Sequence, residues 1–152
     1  MGQLGRAYAV SWSRAVANSL KTAVGITSAS TIRPRIYELM LGTSGTPADN
    51  ALNWLLQRFT AAGTSSAATP TALDPADPAA LASGGQNHTV EPTYTAGAVL
   101  MNLDANQRST QRWVASPGGE LVLPATAANG AGLQTTHASY TGNVDGTVYY
   151  AE

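Results

Sequence analysis

Apolar residues in this chain recur with a period of two, and that spacing restricts the fold more than any other feature. Tyr8, Val10 and Trp12 alternate with Ala9, Ser11 and Ser13, which places one set of side chains on each face of a strand. A second short run covers residues 20–27, with Val24 and Ile26 as its apolar members. Residues 32–41 form a third, entered through Arg33-Pro34-Arg35, because proline lacks the N–H that a central ladder needs. Thr43-Ser44-Gly45 then reads as a turn between strands.

The segment 51–60 fits two periods. Leu52, Leu55, Leu56 and Phe59 fall on one helical face, whereas Leu52, Trp54 and Leu56 fall on one strand face. The β character of the flanking sequence favours the strand. From Ala98, the residues Val99, Met101 and Leu103 alternate again. Residues 108–115 place Trp113 inside a strand, Pro117-Gly118-Gly119 makes a turn, and residues 120–123 form a short strand ended by Pro124. Residues 125–132 are small and turn-rich. The tail, 133–151, holds one or two strands: Asp145-Gly146 either turns a hairpin or, with Gly142, bends one long closing strand.

Residues 61–96 break the pattern. Ala, Gly, Ser, Thr and Pro dominate, and Leu73-Asp-Pro-Ala-Asp-Pro is a succession of turns in which each Asp accepts backbone N–H groups while proline fixes φ. This stretch is expected to be an ordered, turn-rich connection over the surface with a short strand near residues 69–73. Residues 1–13 are expected to be an extended N-terminal arm able to add a strand to a partner. The chain as a whole, 1–152, is expected to be one all-β domain: an antiparallel β-sandwich of jelly-roll or Greek-key type. Trp54, Leu56, Val99, Met101, Trp113 and Val148 are its expected core.

Composition narrows the function. Eight basic and nine acidic residues give a net charge of −1, without the basic surplus of a nucleic-acid or anionic-membrane binder. No run approaches the ~20 apolar residues of a transmembrane helix, and the start has no apolar signal core. Without cysteine, thiolate metal sites and cysteine nucleophiles are excluded. His88 and His137 stand outside any metal-ligand spacing, no Gly-x-Ser-x-Gly elbow or phosphate-binding loop is present, and Glu38, Glu91, Glu120 and Asp104 are scattered. No catalytic, cofactor or metal site is therefore expected. A hydrolase built on His137 or Glu120 is the least supported alternative.

The aromatic and basic residues admit a core and an interface reading. Core is the commoner fate of Trp12, Trp54 and Trp113, but Trp, Tyr and Arg are also enriched where proteins meet. Tyr8, Trp12, Arg14, Arg33, Arg35 and Arg112 are the interface candidates.

Three stretches carry a resemblance: Glu38-Leu-Met-Leu-Gly-Thr-Ser-Gly-Thr-Pro-Ala-Asp-Asn, Leu73-Asp-Pro-Ala-Asp-Pro, and Arg112-Trp-Val-Ala-Ser-Pro-Gly-Gly-Glu-Leu-Val-Leu-Pro. From Ile32 to Glu152 the chain resembles the small jelly-roll head decoration, or cement, proteins of tailed bacteriophages and prophages. That resemblance implies a structural virion protein, assembled in the bacterial host cytoplasm, that binds the phage major capsid protein on the head surface as a homo-dimer or homo-trimer. The alternative is a tail-associated or carbohydrate-binding β-sandwich module using Tyr94, Tyr140 or Tyr149 as sugar platforms.

Overall fold

The computed structural model describes residues 5–15, 21–136 and 140–152. The described residues form twelve strands: β1 (Ala7–Ala15), β2 (Lys21–Thr27), β3 (Arg35–Gly45), β4 (Ala51–Ala61), β5 (Thr64–Ala67), β6 (Thr71–Ala72), β7 (Ser83–Val90), β8 (Thr93–Asn106), β9 (Gln111–Val114), β10 (Leu121–Val122), β11 (Gly130–Thr136) and β12 (Gly142–Ala151). Among the described residues there is no helix, and so none long and apolar enough to cross a membrane.

The strands form two antiparallel sheets. The first runs β10-β3-β12-β1-β6, with β9 also on β3, and the second runs β5-β7-β2-β11-β4-β8. β9 and β10 pair with successive parts of β3, Glu38–Leu41 and then Arg35–Ile36. They act as one edge strand interrupted at residues 115–120. The pairings β1–β12, β2–β11, β3–β9/β10 and β4–β8, joined by β12–β3 and β11–β4, are the nested pairings of a jelly roll. The remaining strands, β5, β6 and β7, all arise between β4 and β8 and widen the two sheets at one end.

Period-two patterning builds the interior. Tyr8 lies opposite Tyr150, Val10 opposite Val148 and Trp12 opposite Gly146, and every one of these side chains points at the second sheet. Tyr8 stacks on Tyr150 at 5.6 Å. Trp12 meets Trp54 of the other sheet edge to face at 5.9 Å and 67°. Gly146 is what admits the indole, because a β-carbon there would lie 2.7 Å from the Trp12 ring. Val24, Ile26, Ile36, Leu39, Leu41, Leu52, Leu56, Leu123, Leu133 and Val144 also belong to the core.

Segment 51–60 is a strand, and β12 is one continuous strand through Asp145-Gly146. Three local expectations change. β3 continues through Thr43-Ser44-Gly45 because all three pair with β12. The stretch expected to be turn-rich yields to β11 at Gly130. Leu100 is the extra residue of a bulge, with Leu56 opposite Met101 and Gln57 opposite Val99. The bulge reverses the facing pattern, so Leu100 packs on the core while Val99, expected inside, is 45% exposed. Met101 and Trp113 are only partly buried.

The expected N-terminal arm is different in kind. From Ala7 onward it is β1, a strand held by β12 along its whole length and, at Tyr8 and Ala9, by β6 on the other side. Three large apolar residues on one face give it more free energy inside the core than on a partner. Residues 1–4 lie outside the described residues. Residues 61–96 hold β5, β6, β7 and the start of β8. Their small side chains hide strand character that the backbone pairing of β7 with β2 and β5 supplies.

Both faces of β2 and β11 are buried. The outer face is covered by Phe59, His88 and Tyr94, with Phe59 edge to face on Tyr94 at 6.3 Å. These rings sit on glycines. A β-carbon at Gly130 would lie 2.6 Å from the Phe59 ring, and one at Gly132 would collide with Tyr94. Asn87, at φ 51°, bends the chain where it leaves β7's pairing with β2.

Candidate interaction surfaces

The six sequence-derived candidates separate into three groups. Tyr8 and Trp12 are core residues, at 0% and 4% exposure, and neither is available to a partner as a surface side chain. Alternation along β1 points both at the second sheet, which is the physical reason the interface reading fails for them.

Arg14 belongs to a polar cluster on the outer side of β2. It donates to the Thr22 carbonyl and lies 3.9 Å from Glu91. Glu91 Oε2 accepts from the Thr22 N–H at 2.9 Å and from its hydroxyl at 2.5 Å, and Lys21 Nζ is 3.8 Å from Oε1. The Thr22 and Tyr94 hydroxyls share a hydrogen bond of 2.6 Å. Burial raises the Tyr94 phenol well above its ordinary value. His88 is buried beside this cluster, and its Nδ1 has no hydrogen-bond partner among the described residues. These groups tie the crossing segment 87–94 to β1 and β2, which is a structural task. Sequence reading missed the cluster because its members are far apart in the chain.

Burial pushes the His88 imidazole below its ordinary value of 6.5, and Glu91 only partly opposes this. The unfolded chain therefore binds the proton more readily than the folded one. Stability is full above about pH 6.5 and falls as pH drops through the lowered folded value. We predict a lower melting temperature at pH 5.5 than at pH 7.5. A His88→Gln variant shows a smaller difference in the same thermal scans, and an unchanged difference would contradict the assignment.

Arg33, Arg35 and Arg112 are surface residues. Arg33 and Arg35 flank buried Pro34 and, with Gly5, Thr31, Ile32 and Glu152, line a depression of about 350 Å³ at one end of the sandwich. Arg112 is on the outer face of the first sheet, its side chain 63% exposed, with Nε donating to Glu38 at 2.6 Å.

That outer face holds a surface the sequence reading did not single out. The register sets Met40 opposite Arg112 and Val114 opposite Glu38, so a methionine and a valine bracket the ion pair. They are 37% and 51% exposed. Beside them is a shallow groove of about 300 Å³ whose lining includes Met40, Gly42, Thr110, Asp145 and Thr147. Hydroxyl and carboxylate pairs extend the face, Ser11 with Thr147 at 3.0 Å and Ser44 with Asp145 at 2.6 Å. The signal was present in the residues 36–41, where Met40 alternates outward between buried Leu39 and Leu41.

Of the three candidate sugar platforms, Tyr94 is engaged with Thr22 and Phe59. Tyr140 is buried, with its hydroxyl set against the Ser44 and Asn143 carbonyls. Tyr149 lies on the outer face of the first sheet, 6.3 Å from Tyr37. The scattered acids stay scattered: Glu38 holds Arg112, Glu91 holds Thr22, Asp104 accepts from Asn53 at 3.0 Å, and Glu120 accepts from the Gly118 N–H at 3.3 Å. Among the described residues no three His, Cys, Asp or Glu converge as a metal site, and His137 lies outside them. No protein-family model, curated protein or solved structure matches the chain.

Proposed function

We propose that this chain is a structural virion protein that docks on the outer face of a tailed-phage capsid lattice and reinforces the head. The observation that carries the reading is the outer face of the first sheet. There Met40 and Val114 stand exposed around the Arg112–Glu38 pair, beside the groove, on a sandwich whose core is filled from both sheets. Exposed apolar side chains ringed by polar ones suit a protein partner. The Ser, Thr and Gly positions around them let another surface approach closely. Arg33 and Arg35 offer a second, basic contact at the end of the sandwich. Each contact is small. Many copies on one shell acting together make it harder to rupture, as in any multivalent assembly. The protein's place in this reading is the virion head, with the major capsid protein as its partner.

The test is co-sedimentation of the purified chain with undecorated heads of the phage that carries its gene. Wild-type chain is expected to pellet with the heads. A Met40→Glu/Val114→Glu variant with an unchanged melting temperature is expected to bind about tenfold more weakly, since setting two carboxylates where apolar side chains met the shell costs more than ~1.4 kcal/mol. Wild-type chain that stays in the supernatant overturns the reading. Equal binding by the variant overturns the choice of face. Binding to tails or to a glycan array instead of heads favours the carbohydrate-binding alternative.

A further inference from the structure

The two sheets have four edges, and three of them are blunted. β5 is four residues long with Pro70 shortly after it, β6 is two residues long and beyond it β1 runs beside β7, where the Gln86 side chain accepts from the Ser13 N–H, and β9/β10 is broken by residues 115–120. The fourth edge is β8. It ends the second sheet; its pairing with β4 is irregular from Thr93 to Leu100 and runs without a register shift from Met101 to Asn106. Asp104 is its one charge, and it contains no lysine and no proline. Folded proteins normally protect such an edge, because its unpaired N–H and C=O groups are a template for another strand.

The register shows which groups are free. Gln107 N donates to Asn50 O at 2.9 Å, and the pairing continues through Leu52–Ala105, Trp54–Leu103 and Leu56–Met101. In the antiparallel alternation those residues of β8 turn their main-chain groups towards β4, and Asn102, Asp104 and Asn106 turn theirs outward. Met101 and Leu103 face the interior but remain partly buried, because no strand follows β8 to cover them. Asn102 and Asp104 share the opposite face, where the Asn53 amide reaches both, at 2.8 and 3.0 Å.

We infer that β8 pairs antiparallel with β8 of a second copy of this chain, about a two-fold axis at Leu103. This register is self-complementary. Leu103 meets Leu103 of the second copy across the shared interior face. Met101 meets Ala105. Asp104 meets the Asn102 amide, twice, so that the strand's single carboxylate gains a donor and no two carboxylates face each other. The outward main-chain groups of Asn102 and Asp104 then exchange hydrogen bonds. The second sheets of the two copies join into one continuous sheet. This pairing is independent of the capsid reading and leaves the Met40–Val114 face open.

The experiment is light scattering and sedimentation on the full chain. Wild-type chain is expected to have the mass of two copies. Asn102→Asp sets carboxylates against Asp104 of the second copy in two places and is expected to weaken association about tenfold. Adding Asp104→Asn to that variant reverses the pairing and restores the dimer, which general loss of stability would not do. The chain has no cysteine, so a Leu103→Cys variant supplies a single thiol. The Leu103 pair is a non-hydrogen-bonded one with Cα atoms about 4.5 Å apart, within disulfide reach. Oxidation is expected to link it covalently, whereas Val114→Cys on the other sheet stays unlinked. A single-chain mass for wild type at every concentration up to the millimolar range overturns the inference. So does a dimer that ignores Asn102→Asp, or one that the second substitution fails to restore.

Discussion

A chain lacking residues 1–13 is expected not to fold. β1 fills the gap between β12 and β6, and its removal takes Tyr8, Val10 and Trp12 from the core together. Burying such side chains stabilises by roughly 1.5–3 kcal/mol each, and the deletion also strips the hydrogen-bonded ladder from one side of β12. The combined loss is comparable to the whole stability of an ordinary domain, about 5–15 kcal/mol. The Tyr8 hydroxyl also donates to the Pro78 carbonyl at 3.0 Å, so the turn run 73–78 loses an anchor. The expected result is an amide spectrum without native dispersion and no cooperative thermal transition. A truncated chain with a sharp melt and dispersed resonances would show that β1 is dispensable, as an arm would be.

Trp54→Ala has the largest expected effect of any single substitution in the core. Trp54 is 2% exposed and rests edge to face on Trp12 across the two sheets. Truncating a buried tryptophan removes its transfer free energy and leaves a cavity that a close-packed sandwich only partly fills. The expected loss is about 3–5 kcal/mol. For a chain of this size that is a melting temperature lower by roughly 6–20 °C. Val114→Ala, on the exposed outer face, is expected to change stability by no more than about 0.5 kcal/mol. Denaturant titration of both variants checks the contrast. A loss at Trp54 below about 1 kcal/mol would mean that the indole is not central to the core.

The two tryptophans also show how much of the fold could be read in advance. Strict alternation at Tyr8-Ala9-Val10-Ser11-Trp12 names both the strand and its buried face, and Trp54 sorts with Leu52 and Leu56 in the same way. Alternation does not say that the first run is interior to a sheet, because pairing partners are non-local: Ala7 lies opposite Ala151. It fails at Val99 because one bulge residue, Leu100, reverses the facing of what precedes it. It is silent for residues 61–96, where small side chains carry no period. It is also silent for the glycines of β11, which look like turn residues but provide clearance for Phe59 and Tyr94. The proposed interaction surface was legible only in part. Arg33, Arg35 and Arg112 are exposed as an interface needs, while Met40 and Val114 become a patch only once β9 is laid beside β3.

The pairing of β8 and the outer face of the first sheet answer different questions. The first is a proposal about how copies of the chain would join, and the second, independent of it, is a proposal about what the chain would bind. Both proposals start from the same property of this sandwich, a filled interior that leaves only faces and edges to meet another molecule.

The most direct measurement for the proposed capsid role is a side-chain-resolution map of intact heads from a phage whose genome encodes this chain. The expected result is density for the sandwich on the outside of the shell, with Met40, Val114 and Arg112 against the major capsid protein. Heads without that density, while the chain is recovered free or on the tail, would contradict it.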